Sequence, residues 1–329
     1  MTNARVCMMA MRGITKGQDV LVKYIKVGKY KVRLTNQYFA LFTGSSNTFK
    51  KIIITKGELI DYYYRIALTM LPHIEDRLLT MHRFPAGIQE KGFFQKDVSD
   101  YFPSWIQRKA VKKKTNGIVR YAVCNNAATL VYLANQGCIT MHIGLHKIDK
   151  MQCPDRMIFD LDPSKKDFAV VKKIAKQLRV LLEDTLGLPT FVMTTGSRGL
   201  HVVVPLKRVH TFEYTKQFAR SCAEVLVARN MKILTLEMRK NKRKDRIFID
   251  VLRNSFGQTS VAPYSVRAKP GAPIATPLLW QEIGRLKNAQ QYHIKNIFRR
   301  LSAQSDPWQD IDKKACSLKK AYKKLQKML

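Results

Sequence analysis

The segment MIFDLDP at residues 157–163 constrains the fold more than any other part of the chain. Its side chains alternate as in a β-strand, in which successive side chains point to opposite faces. Asp160 and Asp162 therefore share one face with Ile158, and the opposite face is apolar: Met157, Phe159 and Leu161. Two carboxylates on one face repel each other unless a cation lies between them. The segment predicts a sheet strand with an acidic, cation-binding end, although D-x-D before proline is also a common strand-end turn.

The pattern around this strand predicts alternating helices and strands. A capping box at Thr55-Lys56-Gly57-Glu58 predicts a helix that ends near Leu71, before Pro72. Residues 80–120 are typical of loops, and TLVYLA fits either a strand or a short helix. The other expected elements are strands in 121–145, a helix at 168–186, a hairpin at 190–206, a helix at 212–229, a strand at 247–252 and helices at 279–300 and 312–328. This order predicts an α/β (α+β) fold with mixed sheets flanked by helices.

A third carboxylate, Asp250, lies in the apolar strand IFIDVL. Hard divalent ions such as Mg²⁺ and Mn²⁺ prefer carboxylate oxygens together with substrate phosphates. Asp160, Asp162 and Asp250 therefore form a candidate catalytic site that holds two metal ions for in-line phosphoryl transfer. Asp250 alone would be uninformative, because a salt-bridge partner looks the same in sequence.

The turn TTGSRGLH at residues 194–201 lies between two apolar strands. Its small residues let backbone N–H groups approach an anion closely, as in a phosphate-binding nest. Thr195 can donate a hydroxyl, Arg198 a guanidinium and His201 a ring N–H. This combination suits a nucleoside triphosphate, whereas the alternative is a plain hairpin turn.

The chain is strongly basic. Its 329 residues contain 59 Lys and Arg against 24 Asp and Glu, which gives a formal charge of +35. Such an excess repels itself, so we expect a polyanionic partner, with nucleic acid as the first candidate. An anionic membrane surface and adaptation to a salty cytoplasm are the alternatives. The absence of a C-x-x-C pair, a signal peptide and a long apolar run predicts a soluble intracellular protein with free thiols.

Four segments in this order, PDRMIFDLDP, TTGSRGLHVVVPL, RIFIDVLRN and VAPYSVRAKPGAPIATPL, resemble the polymerase domain of bacterial ligase D, a branch of the archaeo-eukaryotic primase superfamily. ITKGELIDYYYRIALTMLPHI, HRFPAGI and GFFQK resemble the amino-terminal half of the same family, so the resemblance covers about residues 31–300. It implies a primase-type catalytic core at 121–311 and a smaller N-terminal lobe at 31–120. An uncertain extension (1–30) precedes them, and a basic C-terminal helix (312–329) follows.

The resemblance also implies roles for single residues. The family pattern assigns the metals to the three aspartates named above. It assigns the nucleotide to His142, Thr195, Arg198, His201, Arg253 and Arg267. It assigns DNA contacts to Lys56, at a downstream 5′-phosphate, and to His82, Arg83, Phe93, Phe94 and Lys96, with the two phenylalanines near the template base. A core histidine at 142 and core phenylalanines at 93 and 94 are the alternatives.

Four positions depart from the family pattern. Thr195 and Arg198 stand where serine and lysine are usual, which keeps the hydroxyl and the charge but changes their shape. His82 stands where a basic residue is usual, so its charge depends on pH. Phe39 stands where a second lysine for the 5′-phosphate is expected.

The implied function is that of a template-directed DNA/RNA polymerase. It would fill gaps and extend broken duplex ends in double-strand break repair by non-homologous end joining. The resemblance implies Mn²⁺ or Mg²⁺ as cofactor and accepted ribonucleoside triphosphates. A primase that starts strands de novo and a non-catalytic DNA-end-binding protein are the alternatives.

The expected setting is a prokaryotic cytoplasm, close to the nucleoid. Because 329 residues leave no room for a ligase or nuclease domain, we expect a free-standing polymerase with Ku and a separate DNA ligase as partners in trans. The lysine-rich segment 312–329 is expected to bind DNA, a partner or an anionic membrane, or else to pack on the body. We expect its deletion to weaken DNA binding.

Overall fold

The computed structural model describes residues 22–46, 49–113, 116–164 and 167–329. Most of the predicted extension and the end of the turn expected at GSSN lie outside the described residues. The α-helices in the described part of the chain are α1 (Lys56–Ile74), α2 (Ala127–Asn135), α3 (Phe168–Val180), α4 (Phe212–Ala228), α5 (Ile297–Ala303) and α6 (Lys319–Gln326). One π-helical turn, Leu181–Thr185, continues α3.

The strands form sheets of very different sizes. In the same described ranges they are β1 (Lys23–Val27), β2 (Tyr30–Leu34), β3 (Ala40–Ser46), β4 (Phe49–Thr55), β5 (Leu79–Arg83), β6 (Phe93–Gln95), β7 (Arg108–Lys112), β8 (Ile118–Ala122), β9 (Cys138–Gly144), β10 (Arg156–Asp162), β11 (Phe191–Thr194), β12 (Leu200–Pro205), β13 (Leu234–Thr235), β14 (Ile247–Asp250), β15 (Thr259–Val261) and β16 (Pro277–Leu278).

A six-stranded sheet contains the D-x-D strand. Its strand order is β13-β14-β10-β12-β11-β16, and β13 and β14 are the parallel pair in an otherwise antiparallel sheet. A four-stranded sheet has the order β15-β9-β5-β6, and β1–β2, β3–β4 and β7–β8 pair as hairpins. The expected α/β architecture with mixed sheets is confirmed, as is the hairpin predicted at 190–206.

The two faces of β10 pack as the alternation predicts. The apolar face lies in a core formed with α3 and α4, in which Phe159, Ile174 and Phe218 are fully buried. Ile158, on the acidic face, belongs to a separate small cluster. A third and larger cluster joins residues from α1, α2 and β9. The helices therefore cover one face of the sheet and leave the aspartates on the other.

Helix α1 begins as predicted and ends later. Thr55 caps it, and the reciprocal bonds of the capping box with Glu58 are both present. The predicted end before Pro72 is wrong, because α1 continues to Ile74. The carbonyl left without a donor by Pro72 belongs to Leu68, which is 90% exposed, so water can replace the missing N–H.

Two predicted segments contain elements that were not expected. Most described residues in 80–120 lie outside strands, as predicted, but β5 to β8 also lie there and β5 pairs with the distant β9. The helix expected at 279–300 is instead a 3₁₀ segment, Trp280–Arg285, an irregular stretch and then α5. In that stretch Gln291, Asn288 and Asn296 side chains accept backbone N–H bonds that a helix would otherwise use.

The C-terminal segment packs on the body. Leu318, Ala321 and Leu325 of this segment are buried in the core beneath the six-stranded sheet, and Tyr322 contacts Tyr214 of α4. The helix α6 is shorter than the predicted 312–328. Among the described residues no helix is long and apolar enough to cross a membrane.

Candidate nucleotidyl-transfer site

The three predicted acidic residues lie on two paired strands. Asp160 of β10 lies directly opposite Asp250 of β14 in the antiparallel register, and Asp162 lies opposite Phe248. Antiparallel neighbours have side chains on the same face of the sheet. The strand pairing therefore gathers all three carboxylates at one edge of the acidic face.

Arginine side chains surround these carboxylates. Arg253 Nε lies 3.7 Å from Asp160 Oδ2 and 3.5 Å from Asp250 Oδ2. Asp162 accepts hydrogen bonds from Arg198 Nη2, at 2.9 and 3.2 Å, and from Arg243 Nη1 at 3.4 Å. Each acid thus has a cationic partner in this arrangement, which relieves the repulsion between them.

The two opposed carboxylates ionise differently. Burial disfavours the charge of Asp160, but His201, Arg253 and Arg267 outweigh it and lower the pKa of Asp160 below its ordinary value. Burial raises the pKa of Asp250, and the neighbouring Asp160 charge raises it further against the opposing effect of Arg253. Asp160 is therefore the more readily ionised member of the pair.

The turn between β11 and β12 depends on two glycines. Gly196 has a φ of +61°, in the left-handed region that favours glycine. A Cβ on Gly199 would lie 1.9 Å from the carbonyl oxygen of Leu161, so only glycine lets the turn approach the acidic strand. The Thr195 hydroxyl accepts from the N–H groups of Ser197 and Gly199, at 3.3 and 3.2 Å. This hydroxyl therefore shapes the turn.

The cavity at this turn has a volume of about 210 Å³. It brings together all of the residues that the sequence predicts at the nucleotide: His142, Thr195, Arg198, His201, Arg253 and Arg267. Asp160 and Asp162 also line it, and Asp250 is linked to it through Arg253. Three arginines in a cavity can bind a polyanion, and the neighbouring carboxylates can bind metal cations that accompany it.

The two histidines of the cavity occupy different environments. His201 Nε2 lies 3.5 Å from Asp160 Oδ1, and its Nδ1 lies 3.4 Å from the Ser260 hydroxyl. Burial lowers the pKa of His142 well below its ordinary value, and the Arg267 charge adds to this effect. His142 is therefore neutral at physiological pH and can both donate and accept a hydrogen bond.

A row of aromatic side chains leads away from His142. The Phe94 ring contacts His142 edge to face at 5.6 Å and stacks on His82 at 4.1 Å. Phe93 and Phe94 are 45% and 61% exposed, so they are not the core residues that the alternative prediction required. Exposed rings beside a cavity offer a surface on which bases can stack.

The other predicted DNA-contacting residues lie in unlike settings. Arg83 is buried and donates to the Gln95 side chain at 2.6 Å, whereas Lys96 is exposed. Lys56 is the first residue of α1, and its ammonium group donates to Thr35 Oγ1 at 3.1 Å. Burial lowers the pKa of Lys56 to about 8. Ring contacts link His82 and Phe94 to His142 of the cavity. Lys56 instead contacts Thr35, which is not a lining residue of the cavity.

Comparisons with known proteins identify the family. Residues 55–308 match the family model of the LigD primase-polymerase domain. The chain belongs to this family. It is 34% identical to the multifunctional non-homologous end joining protein LigD of Mycolicibacterium smegmatis over 256 residues, 77% of this chain and 32% of that protein. It is 30% identical to the bifunctional LigD of Bacillus subtilis, over 80% of this chain and 42% of that protein.

A solved structure extends this comparison to three dimensions. The polymerase domain of Mycobacterium tuberculosis ligase D in complex with DNA matches with a TM-score of 0.78 and 29% identity, over 87% of this chain and 99% of that one. The chain thus spans about a third to two fifths of the full-length LigD relatives. LigD primase-polymerase domains are DNA-directed nucleotidyltransferases, a class that uses nucleoside triphosphates and divalent metal ions.

The donor set of the LigD-type site fits a hard divalent cation. In the described part of the chain no three His, Cys, Asp or Glu side chains converge as a ready metal site. However, Asp160 and Asp250 face each other across paired strands, and their mutual repulsion contributes to the raised pKa of Asp250. A divalent cation between these oxygens would relieve the repulsion that Arg253 now relieves.

Sequence reasoning missed two contacts of this LigD-type site. Arg243 reaches Asp162, and its guanidinium lies 4.2 Å from the Phe248 ring centre. The basic run RKNKRKDR immediately before β14 is a signal for this contact, because β14 ends at Asp250, beside the acidic strand. Gln290 Nε2 donates to the carbonyl of Ser197 at 2.8 Å, and no sequence pattern indicated this contact.

Proposed function

We propose that this chain is a template-directed polymerase that fills gaps and extends DNA ends in double-strand break repair by non-homologous end joining. The observation that carries the proposal is the pairing of Asp160 with Asp250 at a cavity lined by arginines. Such a site combines oxygen ligands for divalent ions with cations for phosphates. The match to a polymerase domain described in complex with DNA supports the same function.

The three aspartates would hold the metal ions in this proposal. Two divalent ions, Mn²⁺ or Mg²⁺, would lower the pKa of the attacking 3′-hydroxyl and neutralise charge on the leaving pyrophosphate. Asp160 is the ligand most ready to bind, because its pKa is already lowered by His201, Arg253 and Arg267 against the effect of burial. Asp250 takes up a proton more easily, so its binding would depend on pH.

The arginines would exchange one anionic partner for another. Arg198 and Arg253 now contact carboxylates, and a triphosphate in the cavity offers oxygens of the same kind. Arg267 Nη1 donates to the Thr195 carbonyl at 2.9 Å, which fixes the turn while its charge faces the cavity. Because the Thr195 hydroxyl is used within the turn, backbone N–H groups and Arg198 would provide the phosphate contacts.

The remaining predicted residues would orient sugar and DNA. Neutral His142 is suited to hydrogen-bond a sugar hydroxyl, including the 2′-hydroxyl of a ribonucleotide. His82, Phe93 and Phe94 would stack beside the template base, with Arg83 and Lys96 in the same two segments. Lys56 would bind a downstream 5′-phosphate. The division into a lobe at 31–120 and a core at 121–311 is part of this proposal.

The proposed partners follow from the end-joining role. The similar proteins carry that role in their names, and the charge of +35 supports binding to DNA. We propose gapped or broken duplex ends as substrates, with Ku and a separate DNA ligase acting in trans near the bacterial nucleoid. Stimulation of extension by Ku on such ends is the expected result.

Primer extension on a gapped duplex with a 5′-phosphate tests the proposal. Mn²⁺ would be supplied with ribonucleotides in one series and deoxyribonucleotides in the other. Templated extension should vanish in the Asp160→Ala/Asp162→Ala variant and persist in Asp149→Ala, which removes an exposed acid paired with Arg208. Tight DNA binding without extension would favour a non-catalytic end-binding protein. Extension without a primer would indicate a primase.

A further inference from the structure

A buried arginine lies at the start of the acidic strand, away from the candidate site. Arg156 is the first residue of β10 and is 2% exposed. It shares the face of Ile158 and Asp160, because side chains two apart on a strand point the same way. Trp308, 1% exposed, belongs to the same small cluster as Ile158.

Both side chains have hydrogen-bond donors without acceptors. Arg156 Nε and Nη2 and Trp308 Nε1 are buried, and no described atom accepts a bond from them. A buried donor without an acceptor destabilises the fold, and it does so more when it is charged. Three such donors in one place indicate that a group outside the protein chain satisfies them.

The same two side chains line one small cavity. Its volume is about 10 Å³, and its apolar walls include Leu145, Met193 and Val203. That space holds one monatomic or water-sized group, because about 10–15 Å³ on this measure already admits a water molecule. A tetrahedral oxyanion such as phosphate is too large for it. The other polar side chain in the lining is Ser260, whose hydroxyl can also donate.

The carboxylates of Asp155, Asp312 and Asp306 favour the charge of Arg156 from a distance, but no described carboxylate forms a direct ion pair with its guanidinium. The neighbouring carboxylate of Asp155 is bound by Arg77 at 2.8 and 2.5 Å. Asp306 accepts from His73 at 2.6 Å and from Tyr264 at 2.7 Å. Burial lowers the pKa of Arg156 to about 10, so it remains a cation at neutral pH.

We propose that this cavity binds one monatomic anion, chloride in the cell. A halide accepts hydrogen bonds without requiring an acceptor in return, and its charge balances the guanidinium. A water molecule would satisfy the donors but would need acceptors for its own hydrogens, and it would leave the guanidinium without a direct ionic contact. The chloride would join β10 to the segment around Trp308 and thereby stabilise the fold.

The proposed chloride lies behind the nucleotide cavity and does not depend on the proposed function. Ser260 lies between the two, because it lines both cavities and its hydroxyl is 3.4 Å from His201 Nδ1. The ion would therefore act on the polymerase only through the packing of β10 and β15. Its tests accordingly measure binding and stability.

Bromide in crystals provides the direct test. Bromide replaces chloride and gives an anomalous signal, so crystals of the full chain grown in sodium bromide should show a peak within hydrogen-bonding distance of Arg156 Nε and Trp308 Nε1. A peak at that position supports the proposal. Ordinary water density there without anomalous signal, or an empty cavity, overturns it.

Thermal unfolding provides the second test. At constant ionic strength, replacing gluconate by chloride should raise the melting temperature in a saturable way, by at least about 2 °C. Arg156→Met should abolish this rise, and Trp308→Phe should weaken it. The matched control Arg65→Met, at a half-exposed arginine, should keep it. Equal rises in Arg156→Met and the control would show that chloride acts by general screening and would refute the site.

Discussion

Asp160 and Asp250 are direct cross-strand neighbours, and the pKa values of their carboxylates are shifted in opposite directions. The pKa of Asp160 is lowered because nearby cations outweigh burial, whereas burial and the Asp160 charge raise the pKa of Asp250. The arrangement places two like charges side by side in a partly desolvated site, with Arg253 close to both. Such a site is suited to function at a cost in stability.

Asp250→Asn should therefore raise the free energy of unfolding while lowering polymerase activity. The variant keeps the oxygen that accepts from the Leu252 N–H at 2.8 Å but removes the charge. At pH 7 without metal, we expect the free energy of unfolding to rise by about 1 kcal/mol. Primer extension should fall at least about 100-fold, because a proposed metal ligand is lost. Denaturant unfolding and extension assays measure the two effects.

The stability difference should also depend on pH. The folded-state pKa of Asp250 is raised, so ionisation penalises the folded state above that pKa. The penalty is constant above the raised pKa, and it disappears as the pH falls from the raised pKa to the ordinary value of 3.8, where the unfolded chain is protonated as well. The difference between wild type and Asp250→Asn should narrow over this interval. A difference that stays constant would show that Asp250 is not the group responsible.

The close approach of Gly199 to Leu161 leads to a second prediction. Gly199→Ala places a Cβ 1.9 Å from a carbonyl oxygen of the acidic strand, so the turn or β10 must shift. We expect the free energy of unfolding to fall by about 3 kcal/mol and extension activity to fall with it. Gly284→Ala is the matched control, because its Cβ meets no atom within 4 Å. Equal stability of the two variants would contradict the predicted clash.

The third prediction concerns the buried lysine at the start of α1. Since the pKa of Lys56 is about 8, its charge is present at pH 7 and mostly lost at pH 9. The proposed preference for a 5′-phosphate over a 5′-hydroxyl end should weaken over this interval, as measured by DNA binding. Lys56→Met should reduce the preference about 10-fold at pH 7. Lys150→Met, at an exposed lysine that is not among the proposed DNA contacts, should leave the preference unchanged.

Lys56 should also affect stability with a defined sign. Its folded-state pKa is lowered from about 10.5, so protonation penalises the folded state below pH 8. That penalty disappears as the pH rises between 8 and 10.5. Lys56→Met should therefore be more stable than wild type at pH 7, and the difference should shrink above pH 8.

Local pattern predicted the part of the site that one strand or one turn defines. Alternation along MIFDLDP placed Asp160 and Asp162 on one face, and the faces of β10 pack accordingly. The start of α1 followed from two side chains three positions apart, Thr55 and Glu58. These features depend on short-range geometry, which the sequence displays directly.

Features that depend on distant partners could not be predicted in the same way. The irregular stretch after Arg285 contains neither proline nor glycine that would break a helix. Its backbone instead forms hydrogen bonds with residues 272–274, earlier in the chain. The Ile274 N–H donates to the Tyr292 carbonyl, and the Ile294 N–H donates to the Ala272 carbonyl. The contact of Arg243 with Asp162, 81 residues away, is equally long-range.

The C-terminal segment leads to the fourth prediction. Deleting 312–329 no longer tests DNA binding cleanly, because Leu318 and Leu325 are core residues and their loss would destabilise the fold. Substitution of exposed lysines by glutamine avoids this problem. The lysines to change are Lys319, Lys320, Lys323 and Lys327, while Lys324, which donates to the Thr185 carbonyl, is kept.

The glutamine variant should bind DNA with a flatter salt dependence. Each lost phosphate contact reduces the slope of log K against log salt by about 0.9, and the free energy of unfolding should change by less than about 1 kcal/mol. Leu325→Ala should do the opposite: it should lower the free energy of unfolding by about 3 kcal/mol and leave the slope intact. Fluorescence anisotropy across a salt series measures the slope. If the slope of the glutamine variant equals that of wild type, the segment serves packing alone, because its apolar side is already buried against α4.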